Sequence, residues 1–249
     1  MMSNTSLEVQ IKPKKVFKIL LSLTVLLASL NFATLYLRFF PERYTIYGDF
    51  HQFLIDTFIR LFSMNQETTV PTYVASLQLF GAGLLLLIIA AQKKKNNDKY
   101  LAYWQGLTFL LFAFSIDEAA SFHEALTPLF RDFPNFRGFF YFGWVFAGLA
   151  FIFIIGLVCF VFFLQLERRY QWLFLTAVVL YFGGAVGFEM MGGYYLTQYD
   201  LARGDFVYEL LAMCEETLEL GGVVVLIYAL LDYIEKSFPK NLITISWKE

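Results

Sequence analysis

The chain has 249 residues, of which 58% are hydrophobic and 20% are aromatic, and its mean hydropathy is +0.58. Soluble domains of this length are much less apolar, so the composition excludes an ordinary soluble globular protein and indicates a protein of the lipid bilayer. The net charge of −2 provides no excess of basic residues, and we expect no nucleic acid partner.

Apolar runs long enough to cross a bilayer recur along the chain. About twenty residues of helix span a hydrocarbon core of about 30 Å, and runs such as FAGLAFIFIIGLVCFVFFL lack the alternation typical of membrane β-barrel strands. We therefore predict an all-α polytopic membrane protein with a single integral membrane domain over residues 1–249. The predicted transmembrane helices are 16–40, 72–92, 100–125, 138–165, 172–195 and 208–233.

The segment between the first two runs has a helical pattern of its own. Within residues 47–62, phenylalanine and leucine recur every three or four residues, and His51, Asp56 and Arg60 lie elsewhere on the helical wheel. This pattern predicts an amphipathic helix on the outer surface of the membrane. It would serve either as a surface cover or as a lid over an outward-facing site.

The lysines predict the orientation of the bundle. They occur in the N-terminal tail, in the 93–99 loop and near the C-terminus, which all fall on one side of a six-helix count. Because positively charged loops stay in the cytoplasm, we expect both termini to be cytoplasmic, in the plasma (cytoplasmic, or bacterial inner) membrane. The first run is longer than the apolar part of a signal peptide, so we expect it to be an uncleaved anchor.

Ionisable residues are concentrated near the outer ends of three predicted helices. The third ends in IDEAASFHE, the fifth contains Glu189 and the sixth contains CEETLE. With a rise of about 1.5 Å per residue, all three groups reach the outer third of the bilayer. The candidate site residues, which we predict as metal ligands, are Asp117, Glu118, His123, Glu124, Glu189, Glu215, Glu216 and Glu219.

Helix geometry makes the prediction more specific. If the third helix is continuous, Asp117, Ser121 and Glu124 share one face and His123 points away from it, so His123 is the least secure ligand. On the sixth helix, one acidic stripe is predicted, formed by Glu209, Glu215, Glu216 and Glu219.

The cost of buried charge decides what such a cluster means. A charged carboxylate at the bilayer centre costs about 2.5–3.5 kcal/mol on insertion scales, and the third, fifth and sixth predicted helices contain no lysine or arginine. Compensation would come from protonation, from a water-filled vestibule, from bound cations, or from Arg131, Arg137 and Arg203 folding in from the loops. The structural alternative is that the acids are solvated helix ends held by internal hydrogen bonds.

A vestibule lined by acids attracts cations. Oxygen ligands with one or two histidines suit Mg, Ca, Mn or Fe better than Zn, so we predict a divalent cation as the cofactor. No complete metal motif identifies the element, because HEALT lacks the second histidine of HExxH and no Glu-x-x-His pair of the di-iron bundles is present.

The two acidic motifs resemble those of a group of uncharacterised bacterial multi-pass membrane proteins. In that group the third helix has the form D-E-x-x-x-x-H-E, and the last helix has E-E-x-x-E followed by glycine. Here these positions are Asp117, Glu118, His123 and Glu124 in the first motif, then Glu215, Glu216, Glu219 and Gly221 in the second. The resemblance implies that the two motifs belong together, and it transfers no activity.

Three functions fit the sequence. The first is a metal-dependent enzyme acting on a lipid-like substrate, with His123 or a glutamate as the base; no nucleophile motif assigns the catalytic residues. The second is a proton- or cation-coupled transporter or channel. The third is a non-catalytic subunit of a membrane complex. The expected partners are the lipid bilayer and a lipid or ion substrate.

Overall fold

The structure is a computed structural model that describes residues 6–9, 12–43, 48–127, 137–201, 204–238 and 243–246. Within these residues the chain forms a bundle of long helices joined by short connections. The helices are α1 (Pro13–Phe39), α2 (Gly48–Phe62), α3 (Val70–Lys95), α4 (Leu101–Ala120), α5 (Phe122–Ala125), α6 (Trp144–Gln165), α7 (Arg168–Tyr199) and α8 (Phe206–Ser237). Single 3₁₀ turns cover Pro41–Arg43 and Gly138–Phe140.

Five of the helices in the described residues are long and apolar enough to cross a membrane, namely α1, α3, α6, α7 and α8. The protein is therefore a membrane protein with an all-helical bundle, as its composition predicts. Two predicted helix bounds are wrong. The third predicted helix ends at Ala120 rather than 125, and the fourth begins at Trp144 rather than 138 because the chain turns at Gly138 with a φ of +61°.

Local sequence explains where the helices begin. Thr69 caps α3 by accepting a hydrogen bond from the backbone N–H of Thr72, and Pro71 lies in the first turn, where its missing N–H costs nothing. Asp205 caps α8 in the same way and accepts a hydrogen bond of 2.9 Å from the N–H of Val207. Both caps fix the helix start next to a connecting loop.

The two chain ends lie at the same end of the bundle. Ser6–Val9 pairs with Ile243–Ser246 as a short antiparallel ribbon. The loop between α3 and α4 belongs to the same end, where Lys93 and Asp98 form a salt bridge of 2.8 Å. We call this the lysine end. The opposite end contains the C-terminus of α4 and the N-terminus of α8.

The main core fills the half of the bundle nearest the lysine end. Trp104 of α4 is 1% exposed, and its ring lies edge-on to Phe162 of α6 and against Tyr233 of α8. Helices α3 and α4 form the tightest pair, and toward the opposite end of the bundle the hydroxyls of Ser76 and Ser115 each donate to the other residue's backbone carbonyl. These aromatic and hydrogen-bonded contacts join the helices of the bundle around the buried Trp104.

Helices α7 and α8 also approach each other closely, and glycine makes the approach feasible. A Cβ atom at Gly222 of α8 would lie 2.7 Å from the backbone nitrogen of Tyr181 in α7. Helix α6 behaves differently, because its backbone comes close to the bundle chiefly at residues 183–188 of α7. A gap therefore remains along much of α6.

Candidate functional site

A cavity of about 710 Å³ lies at the end of the bundle opposite the lysine end, which we call the cavity end. Its walls come from the turn after α2, from Thr72 of α3 and from helices α4 to α8. Eight acidic or histidine side chains line it: Glu67, Asp117, Glu118, His123, Glu189, Glu215, Glu216 and Glu219. We call this set the acidic cavity.

The cavity brings together residues that are far apart in the sequence. Of the eight predicted ligands, seven line it, from α4, α5, α7 and α8. The eighth, Glu124, has a side chain outside the described part of the structure. Whether these residues bind a cation stays a prediction, since no three histidine, cysteine or acidic side chains of the described residues lie close enough together to hold a metal ion.

Asp117 and His123 form a dyad that the helical wheel did not predict. Helix α4 stops because Ser121 adopts a left-handed conformation with a φ of 51°. The chain then folds back, and the Asp117 carboxylate accepts hydrogen bonds from the backbone N–H of His123 at 2.9 Å and from the His123 ring at 2.8 Å. The prediction that His123 points away is therefore wrong, because it assumed a continuous helix.

Trp144 connects this dyad to α7. Its indole N–H donates a 3.1 Å hydrogen bond to Glu189, which is only 9% exposed, and its ring lies edge-on to the imidazole of His123 at 4.8 Å. A buried carboxylate needs such a donor, because an unsatisfied one would lose its hydration without replacement. Trp144 therefore holds Glu189 and His123 in one wall of the acidic cavity.

A distorted segment of α7 positions the acids of α8. Residues Gly183–Phe188 are π-helical, a distortion that occurs most often at functional sites. Within it, a Cβ atom at Gly184 would lie 2.7 Å from the backbone carbonyl of Glu215 and 3.0 Å from Cγ of Glu219. Only glycine permits this contact, so α8 presents its glutamates directly beside the distorted turn.

Two carboxylates in the cavity have no partner in the described structure. Glu118 and Glu219 form no hydrogen bond or salt bridge with any described residue. The expected help from loop arginines is not seen at Arg137, which is exposed and lines no part of the cavity, and Arg131 and Arg203 lie outside the described residues. The negative charge here is therefore not neutralised by a described lysine or arginine.

Glu209 does not belong to the site, which corrects the predicted acidic stripe of the last helix. Its side chain is 3% exposed and forms a 2.7 Å salt bridge with Arg38 of α1. The wheel placed it with the other three glutamates because it could not include the neighbouring helix α1. Glu209 therefore joins α1 to α8, while the glutamates further along α8 line the cavity.

Glu67 is a site residue that sequence reasoning missed. It lies in the turn between α2 and α3, where no helical periodicity relates it to the other acids. Residues Gly48–Phe62 of the segment predicted to lie on the membrane surface form helix α2, and none of them lines the cavity. From this region the wall includes only the turn that follows, Met64–Glu67. A signal that could have found Glu67 is its place two residues before Thr69, the N-cap of an apolar helix.

A second cavity of about 350 Å³ continues from the first toward the lysine end. The two cavities share six lining residues, which are Leu110, Phe114, Phe151, Ile152, Tyr181 and Phe182. Beyond these shared residues the lining is almost entirely aliphatic and aromatic. We call this second space the apolar cavity.

The helix bundle and its cavities define a class of protein, a polytopic membrane protein with a charged cavity inside the bundle. The family model described as "Domain of unknown function (DUF8692)" matches residues 17–234, and the chain belongs to this family. No curated protein and no solved structure gives a significant match. The site chemistry therefore carries the functional argument.

Proposed function

We propose that this protein is a six-span membrane enzyme that binds a divalent cation in the acidic cavity and acts on a lipid-like substrate. The observation that carries the proposal is the convergence of carboxylates from four separate segments on one cavity that continues into an apolar space.

Helix α4 is proposed as the sixth span. It has 20 residues, about 30 Å of helix, and it packs against α3. Asp117 and Glu118 lower its hydropathy, but both line the acidic cavity rather than facing lipid. An even number of crossings also agrees with the pairing of the two terminal strands at one end of the bundle.

The orientation follows from the charges. Lys93, Lys94 and Lys95 end α3, and Lys236 lies in the last turn of α8, so the lysine end would face the cytoplasm of a cell's plasma membrane. The acidic cavity would then open toward the outer leaflet, and α2, whose Phe50 and Phe53 are exposed, would lie on that surface.

The donor set suits a hard divalent cation. Carboxylate oxygens from α4, α7 and α8 line the cavity, and Glu118 and Glu219 have no protein counter-charge among the described residues. A cation would neutralise them, since seven carboxylates in one cavity repel one another. When bound, such an ion supplies Lewis-acid stabilisation and a more acidic water molecule.

The chain itself supplies a positioned base. Asp117 holds the imidazole of His123 through Nδ1, so the opposite ring nitrogen is the one that would accept a proton from a reacting group. Trp144 packs against the ring and restricts its rotation. A carboxylate-oriented histidine beside a cation cavity is an arrangement typical of hydrolytic and group-transfer enzymes.

The two other functions lack a favouring observation. A transporter needs polar groups along a route to the lysine end, whereas the described lining of the apolar cavity offers hydrocarbon and leads to the buried Trp104. A non-catalytic subunit would leave the acidic cavity without a role. The wide apolar surface of α6 is what any lipid-facing helix presents.

Binding of Mn²⁺, followed by electron paramagnetic resonance of the purified full-length protein in detergent, tests the proposal. We expect stoichiometric Mn²⁺ binding that Mg²⁺ or Ca²⁺ competes for, and a loss of affinity of at least tenfold in Glu219→Gln and in Glu118→Gln. The matched control is Glu235→Gln, which removes an exposed carboxylate near the lysine end of the same helix as Glu219. Equal binding in all variants, or none up to millimolar Mn²⁺, would overturn it.

A further inference from the structure

The apolar cavity has the form of a binding site for hydrocarbon. It lies between α4, α6, α7 and α8, and its volume of about 350 Å³ is more than twice that of an engineered apolar cavity of about 150 Å³ that stays dry and binds benzene. Gly156 of α6 faces it with no atom within 4 Å of where its Cβ would lie. The wall is thus open at a helix position where a side chain could have filled it.

Hydrocarbon is the occupant that the surroundings favour. The cavity lies at the depth of the proposed spans, where water gains nothing from an apolar wall. It is also open toward the bilayer, since Phe160 lines it and is nevertheless 57% exposed, and Phe109 lines the acidic cavity and is 76% exposed. A chain could therefore enter sideways from the membrane, between α4 and α6.

An aromatic neck joins this space to the acidic cavity. Phe114 of α4 lies at the junction, and its ring is 6.0 Å from Phe151, 5.9 Å from Tyr181 and 6.1 Å from Phe182, measured between ring centroids. All four rings line both cavities. A molecule that passes this neck has one end among carboxylates and the other among aliphatic side chains, which is the pattern of an amphiphile.

The length of the apolar cavity matches one chain. It extends along α4 from Phe114 to Trp104, ten residues or about 15 Å of helix. The hydrocarbon core of a bilayer is about 30 Å thick, so a chain from one leaflet covers about the same 15 Å. We propose that the apolar cavity binds the single hydrocarbon chain of a long-chain substrate whose polar head lies in the acidic cavity, an inference that rests on the proposed function for the identity of the head site.

Trp104 reports occupancy of this cavity. It lines the cavity and is 1% exposed, whereas Trp172 is 65% exposed. Bromine quenches tryptophan fluorescence at short range, so 9,10-dibromo-octadecanol is the probe. Two full-length proteins are compared, one with Trp172→Phe and one with Trp104→Phe; both carry Trp247→Phe and both keep Trp144 of the acidic cavity, so that they differ only in whether Trp104 or Trp172 reports. They are titrated with the probe in detergent micelles.

We expect saturable quenching of Trp104 and a merely gradual, unsaturated loss at Trp172. Gly156→Phe, which fills the cavity, should reduce the saturable quenching of Trp104 at least tenfold in apparent affinity. Gly106→Phe is the matched control, because Gly106 lies on α4, is exposed, lines neither cavity and has no atom near its Cβ position. Gly156→Leu, with thermal unfolding of each variant, guards against a folding defect in the larger substitution.

The result separates this inference from the proposed function. Gly156 does not line the acidic cavity, so Gly156→Phe should bind Mn²⁺ as the unmodified protein does. Loss of probe binding with retained Mn²⁺ binding supports the chain site. Equal saturable quenching in the Gly156 and Gly106 variants, or the absence of saturable quenching of Trp104, overturns the chain site whatever the outcome for the cation.

Discussion

The two ends of the bundle differ in whether the acidic side chains inside it have charged partners. At the lysine end, Asp232 of α8 is 6% exposed but receives two hydrogen bonds from Arg169, at 2.9 and 3.1 Å, and a salt bridge from Lys236. At the cavity end, Glu118 and Glu219 have no such partner within the described residues. Helix α8 thus carries the paired Asp232 at one end, and further along it Glu219, which has no salt bridge or hydrogen bond with a described residue.

The difference separates stability from function. A buried carboxylate that is fully paired lowers the free energy of unfolding little and fixes helix packing, whereas an unpaired one lowers the free energy of unfolding without such a benefit. Arg38 and Glu209 show that the cavity end can also pair an acid where packing requires it. Under the proposed function, Glu118 and Glu219 would belong to the cation site rather than to the scaffold.

The largest expected effect is at Asp232. Asp232→Asn should destabilise the protein by about 2–3 kcal/mol, because Arg169, Lys236 and the Tyr170 hydroxyl all lose a charged partner; the two cations are half exposed, which moderates the loss. Thermal unfolding in detergent measures this, and Mn²⁺ binding should be unchanged. Glu235→Gln is the neutral control. An unchanged melting temperature in Asp232→Asn would show that the paired acid at the lysine end does not stabilise the fold.

The contact between α7 and α8 gives the next effect. Gly184→Ala should lower the free energy of unfolding of the protein by about 1–2 kcal/mol and weaken Mn²⁺ binding. The reason is that the alanine Cβ would lie 2.7 Å from the Glu215 carbonyl and would displace α8. Gly183→Ala has open space at its Cβ and should be neutral or slightly stabilising. Similar behaviour of the two variants would show that the close approach does not position the site.

Glu219→Gln should change stability in the opposite direction to Asp232→Asn. Replacing this carboxyl group by an amide removes the cost of ionising it inside the bundle among other acids, so we expect stabilisation by about 1 kcal/mol in the absence of divalent cations. Added Ca²⁺ should raise the melting temperature of the unmodified protein more than that of the variant. Destabilisation by Glu219→Gln without cations would mean that this acid has a structural role.

The smallest effect concerns pH at the lysine end. Partial burial alone would raise the pKa of Asp98, but hydrogen bonds from Lys93 and from the Tyr100 backbone outweigh it and lower this pKa below its ordinary 3.8. Its stabilisation is then complete above about pH 4 and is lost as the pH falls through the lowered folded-state pKa.

The free energy of unfolding of the unmodified protein should accordingly exceed that of Asp98→Asn by about 0.2–1 kcal/mol at pH 6. This difference should disappear as the pH falls below 4. Unfolding measured from pH 3 to 6 checks this. A gap that widens at low pH would contradict the sign.

The outline of the site was predictable, and its details were not. Asp117, Glu189 and Glu216 could be placed at one depth from helix length alone, because the rise per residue is constant. The position of His123 could not be predicted in this way. It depends on the left-handed conformation of Ser121, which ends the helix, and on the hydrogen bond that the backbone N–H of His123 donates to the Asp117 carboxylate. Glu67 lies in a turn without periodicity and depends on tertiary packing.

The sequence by itself determined a helical membrane protein with a concentration of acids near one end, because apolar run length and charge position follow directly from the order of residues. Only the tertiary structure decided which acids face the cavity and which are paired. Glu209 and Glu216 look alike in the sequence, yet the first meets Arg38 of another helix and the second lines the cavity. That choice depends on neighbours distant in the chain, as does the apolar space that the gap beside α6 leaves open.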